Sequence, residues 1–137
     1  MKHARLANLL NRQFNREISA LLRYVIEAAS LHGESQATVR ALYLAEAHER
    51  VERAQYLADQ IVAMGDNPTL SPTVVRPQIT LREMLRHDAS EEHTDEQNYL
   101  KLACEAEKAQ LSSLKQRMKE QATLEHKHVG EMESLLW

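Results

Sequence analysis

The stretch Leu124-Glu125-His126-Lys127-His128, near the C-terminal end of the 137-residue chain, decides how the rest is organised. On a helix, Glu125 and His128 stand one turn apart and point the same way. The same line followed in both directions reads Leu111, Leu114, Met118, Ala122, Glu125, His128, Met132 and Leu136, so a carboxylate and an imidazole interrupt an apolar stripe. A carboxylate buried without a counter-charge is costly, whereas one that binds a cation beside an imidazole is not. Glu-x-x-His inside an apolar line is therefore a metal-ligand spacing, and it asks for partners on other helices.

Composition sets the frame for that search. Three Gly, three Pro and 4% aromatic residues point to helices and away from sheet, so the expected class is all-α. The length suits one domain with a core of its own. A net charge of −3 with no basic tail argues against nucleic acid and anionic lipid as partners. The N-terminus, MKHARLANLLNRQ, has no continuous apolar segment, and no run of 18 apolar residues follows, so a soluble cytoplasmic protein with no membrane partner is expected. The single cysteine, Cys104, rules out an internal disulfide and a cysteine-based zinc site, and reads as a structural thiol in a reducing compartment.

The pattern predicts a first helix from about Arg5 to Leu31, with Leu10, Phe14, Leu21, Val25 and Ala28 at helical spacing and His32-Gly33 as a stop. A second runs from about Ser35 to Met64, with Leu42, Ala45, Tyr56 and Ala63 on one line, and ends at Gly65. Residues 68–77 hold all three prolines and read as an extended crossover. Thr80-Leu81-Arg82-Glu83 is a capping box that starts a third helix, whose inner line is Leu85, Asp88, Glu92, Asp95, Tyr99 and Leu102. A turn near Lys108 to Gln110, marked by neither Gly nor Pro, leads to a fourth helix from about Leu111. The expected architecture is a four-helix bundle of two antiparallel hairpins joined by the proline-rich crossover.

Each helix places a glutamate in its stripe: Glu17, Glu49 with Glu52, Glu92, and Glu125 with His128. The separations match, 32 residues from Glu17 to Glu49 and 33 from Glu92 to Glu125, so each hairpin brings its two carboxylates to about the same height. Several carboxylates at close range repel unless cations compensate them, and two divalent ions would do so. Oxygen donors with imidazole suit iron or manganese. Glu46, Glu91, Glu105, Glu107, Glu131 and Glu133 read as surface residues, and Asp88, Asp95, His48 and His93 as peripheral to the site. Tyr24, seven residues after Glu17, lies on the same face and can hydrogen-bond near it, whereas Tyr56 and Tyr99 read as core packing.

With these residues in place, the chain resembles the bacterioferritins of the ferritin-like di-iron superfamily. Leu10-Asn11-Arg12 followed by Glu17, Leu21 and Tyr24 is similar to that family's first helix, Glu83-Met84-Leu85-Arg86 with Asp88 and Glu92 to its third, and Glu125-x-x-His128 to its fourth. The resemblance implies a ferroxidase centre that oxidises Fe(II) with dioxygen or peroxide, for iron storage or detoxification. It implies Glu17, Glu49, Glu92, Glu125 and His128 as ligands of two iron ions, with Glu49 and Glu125 bridging and Glu52 at the place of the family's second-helix histidine. It also implies a homodimer at least, extending in the family to a larger shell. Three departures stand out: Glu52 replaces an imidazole, Arg50 falls where the haem-binding methionine is expected, and the chain stops at Trp137 without a fifth helix. No haem is therefore expected. The rival readings are a rubrerythrin-like peroxidase or small-substrate oxidase, and a structural bundle without catalysis.

Overall fold

Four long α-helices make up most of what the computed structural model describes, namely residues 2–73 and 80–136. They are α1 (Ala4–Ser30), α2 (Ala37–Ala63), α3 (Leu81–Lys108) and α4 (Ser112–Ser134), with a 3-10 turn, Glu34–Gln36, leading into α2. No strand occurs among the described residues, and the class is all-α as expected. The chain divides into two compact units, Met1–Pro77 with α1 and α2 and Gln78–Trp137 with α3 and α4.

Within the first unit α1 and α2 are antiparallel, because their partners run in opposite order: Arg40 reaches Ala28, Tyr43 meets Tyr24, and Arg50 meets Glu17. The Arg40 guanidinium donates to the carbonyls of Ala28 and Leu31, so the first turn of α2 satisfies the open end of α1. Gly33 takes φ 85 in the connection, a conformation that side chains with a Cβ rarely adopt. Helix α2 ends in a Schellman motif, with Asp66 N–H donating to Ile61 and Gly65 N–H, at φ 87, to Val62.

The proline-rich segment is described as far as Thr73, and it runs along α1. Asn11 donates to Thr69 Oγ1 and accepts from Thr69 N–H, both at 2.8 Å. Asn15 donates to the Thr69 carbonyl at 2.8 Å and accepts from Ser71 N–H. Ser19 Oγ accepts from Thr73 N–H at 2.9 Å. Four helical residues rise about 6 Å, and two extended residues span about 6.6 Å. A polar line of period four on α1 therefore matches alternate residues of an extended chain. The remainder of the expected crossover, residues 74–77, lies outside the described residues.

In the second unit Thr80 caps α3 by accepting from Glu83 N–H at 3.2 Å. Helices α3 and α4 are antiparallel, with Lys115 on Glu107, His126 on Glu96 and Arg82 on the Leu136 carbonyl. The Lys115 ammonium, donating to Glu107 at 3.0 Å, holds that carboxyl below the usual carboxylate range. The connection is again a Schellman motif: Leu111 N–H donates to Ala106 and Gln110 N–H to Glu107. Here the left-handed position, φ 60, falls to Gln110 and not to glycine, which is why the sequence marks the boundary so weakly.

The inner lines of α3 and α4 agree with the expected ones. The entire α3 line from Leu85 to Leu102 is buried, as are Leu114, Met118, Ala122, Glu125, His128 and Met132 of α4. Two corrections concern α1 and α2. Val25, expected inside, is exposed, and Tyr24 takes the inward position. On α2 the line Leu42, Ala45, Tyr56 and Ala63 does not reach the core; Val39, Tyr43, Arg50, Leu57 and Ile61 do. The expected line is rotated by about one residue, or 100°, because polar Glu46, Arg50 and Arg53 occupy the inner face and make polarity a poor guide to it. Cys104 is exposed.

Two substitutions check these local accounts. Asn15→Ala removes the hydrogen bonds to Thr69 and Ser71, and is expected to cost about 1–3 kcal/mol while raising hydrogen exchange at the Ser71 amide. Unchanged exchange there would show that the polar line of α1 does not hold the segment. Gln110→Gly relieves the left-handed residue and is expected to raise stability by about 1 kcal/mol, read as a higher urea midpoint at constant m-value.

Candidate metal centre

Helix α3 advances along its inner line in alternating steps of three and four residues, which keeps Leu85, Asp88, Glu92, Asp95 and Tyr99 on one face. Glu125 and His128 sit one turn apart on the facing line of α4. Glu92, Asp95 and Glu125 are buried, and each offers a carboxylate oxygen within 4.8 Å of those of the other two. A ring nitrogen of His128, also buried, lies within 4.8 Å of a Glu92 oxygen. Gln121, one turn before Glu125, donates towards its Oε1 at 3.5 Å. Buried oxygens converging at this range repel one another, and a divalent cation among them replaces repulsion by attraction. Carboxylate oxygens with one imidazole are a donor set that fits ferrous iron or manganese.

Of the expected ligands, this hairpin brings together Glu92, Glu125 and His128. It adds Asp95, and Asp88 lies buried on the same line; both aspartates were expected at the periphery. Their positions on the α3 line are evident from the sequence, and the structure buries both where a rim position was expected.

The α1–α2 hairpin holds its expected ligands differently. Glu17 is fully buried, but Arg50 Nη1 donates to its Oε2 at 2.8 Å, Arg53 Nη1 lies 4.0 Å from that oxygen, and Gln13 donates to its Oε1 at 3.0 Å. Arg50 Nε stands 3.8 Å from Glu46, which is buried although it was expected at the surface. Glu49 is 45% exposed and pairs with Arg53 at 3.1 Å, and Glu52 is exposed. Neither reaches the inner face of α2. Both were assigned there through the rotated line, whereas the 33-residue spacing that joins Glu92 to Glu125 leads from Glu17 to Arg50.

Arg50, expected at a haem-binding position, instead points into the hairpin, 5.7 Å from the centroid of the Tyr24 ring. Tyr24 is packed edge-on against Tyr43, with centroids 5.1 Å apart, and Arg23 lies 5.0 Å from its centroid. These cation–π contacts and the T-shaped ring pair hold the tyrosine within α1–α2.

Residues 7–137 match the family described as Ferritin-like domain. No curated protein matches the chain. Among solved structures, a ferritin-like diiron-carboxylate protein from Bacillus anthracis is 26% identical with a TM-score of 0.94, covering 100% of this chain and 99% of that one. A Dps protein from Bacillus brevis is 16% identical (TM-score 0.89, coverage 99% and 97%), and a bacterioferritin from Desulfovibrio desulfuricans, whose structure records a diiron site, is 19% identical (TM-score 0.89, coverage 98% and 80%). At these last two identities the likeness is one of fold.

Proposed function

Because the chain belongs to the ferritin-like family, whose fold is a four-helix bundle, we propose that it binds iron at the α3–α4 carboxylate cluster and oxidises Fe(II) there, for iron storage or detoxification. The observation that carries this reading is the convergence of Glu92, Asp95 and Glu125 within 4.8 Å, all buried, with His128 beside Glu92. Fe(II) is the substrate; each ion gives up one electron, and dioxygen or peroxide accepts it. Glu92, Asp95, Glu125 and His128 hold the ion, Gln121 orients Glu125, and burial keeps bulk water from competing for the carboxylate oxygens. Three anionic donors favour the higher charge of the oxidised ion and so drive electron loss. The same donors accept manganese.

No helix among the described residues is long and apolar enough to cross a membrane, and a cytoplasmic location is part of the proposed reading. The reading includes self-association, a homodimer at least. Leu22, Val25 and Ile26 present an exposed apolar patch at helical spacing on α1, each more than half exposed.

Glu125→Ala is expected to weaken Fe(II) binding on the order of 100-fold and to abolish oxidation under air. Asp95→Asn should weaken binding by at least tenfold, by the same reasoning. Anaerobic Fe(II) loading followed by metal analysis and anomalous scattering checks both, and wild-type protein without a bound ion would refute the proposal. Separately, Val25→Asp with Ile26→Asp is expected to convert the dimer to a monomer by light scattering, with the helical circular dichroism retained.

A further inference from the structure

The two hairpins are internal counterparts, related by a shift of 75 residues. Glu17 moved by 75 becomes Glu92, and on the same helices Leu10 becomes Leu85 and Tyr24 becomes Tyr99. On their partner helices Ala47 becomes Ala122 and Leu57 becomes Met132. Every one of these residues is buried, so the shift carries inner face onto inner face in both helix pairs. Under it the positions of Glu125 and His128 correspond to Arg50 and Arg53. Where the second hairpin sets a carboxylate and an imidazole opposite Glu92, the first sets two guanidinium groups opposite Glu17.

From this correspondence we infer that Arg50 and Arg53 are built-in cations, standing where the first hairpin would otherwise ligate a metal through Glu17. Glu17 is therefore not a metal ligand in this protein. The contacts support the exchange directly. Arg50 lies 2.8 Å from Glu17 and 3.8 Å from Glu46, and Arg53 lies 4.0 Å from Glu17 and 3.1 Å from Glu49. Charges alternate along the series Glu46, Arg50, Glu17, Arg53, Glu49. Its four buried members, two acidic and two basic, sum to zero, and the acidic end at Glu49 reaches solvent. Guanidinium stays protonated at any pH the fold tolerates, so this compensation does not depend on metal supply.

The inference rests on the proposed iron site only for the comparison of metal content, and the experiment separates the two. Wild type, Glu17→Gln, Glu125→Gln and Arg50→Glu/Arg53→His are loaded anaerobically with Fe(II), and with Mn(II) as a redox-inert control, and ions per chain are counted. Glu17→Gln is expected to keep the wild-type count while Glu125→Gln falls below it. Arg50→Glu/Arg53→His, which restores the donor types of the second hairpin to the first, is expected to gain about one ion per chain. A lower count in Glu17→Gln, or no gain in a double variant whose helical circular dichroism is intact, would overturn the inference. Failure of the wild type to bind any ion would instead count against the proposed function.

Melting temperatures in chelator then test the ion pair by itself. Glu17→Gln and Arg50→Gln are each expected to lower the melting temperature by roughly 5–15 °C, and their double variant by clearly less than the two effects together. Additive effects would overturn the inference whatever the metal count shows.

Discussion

A charge inside a protein must meet an opposite charge, and this one requirement shapes both hairpins. Desolvating a carboxylate costs several kcal/mol on the order-of-magnitude scale, so glutamates on the inner lines of long helices are tolerated only with compensation beside them. The α1–α2 hairpin compensates with its own side chains, Arg50 and Arg53 against Glu17 and Glu46. The α3–α4 hairpin buries Asp88, Glu92, Asp95 and Glu125 and has no buried arginine or lysine of its own among the described residues. Three of its carboxylates, Glu92, Asp95 and Glu125, converge within 4.8 Å, the cluster at which iron binding is proposed.

The two solutions behave differently. A guanidinium is covalently part of the chain and is in place as soon as the hairpin forms, and its fork geometry fixes the register of α2 against α1. Sliding α2 by one turn would leave Arg50 and Glu17 buried apart, at a cost of about 3–5 kcal/mol. A metal ion is acquired from solution, so the energy it contributes depends on its concentration and its binding is linked to the stability of the helices that hold it. Under the proposed function, one unit carries its compensating charge in its sequence and the other takes it from the ion it binds.

The connections follow from equally local chemistry. Asn11, Asn15 and Ser19 form a polar line on α1 whose 6 Å spacing, close to that of alternate extended residues, seats Thr69, Ser71 and Thr73. Gln110 accepts a left-handed conformation because the Schellman hydrogen bonds of Gln110 and Leu111 to the end of α3 outweigh its strain.

By itself the sequence determined that the chain is all-α, and it showed where the helices lie and which faces of α3 and α4 point inward. On those helices apolar residues flank the buried acidic and imidazole side chains at regular spacing, and the period of the helix carries the information. Glu92, Glu125 and His128 were legible for that reason. The inner face of α2 was not, because Glu46, Arg50 and Arg53 read as solvent residues until the partner that neutralises them is seen. Pairing of charge is a contact between helices, and helical periodicity contains no record of it. Only the tertiary structure decided that Glu17 faces arginine while Glu92 faces carboxylates, that Glu49 and Glu52 stand outside, and that Asp95 lies within 4.8 Å of Glu92 and Glu125.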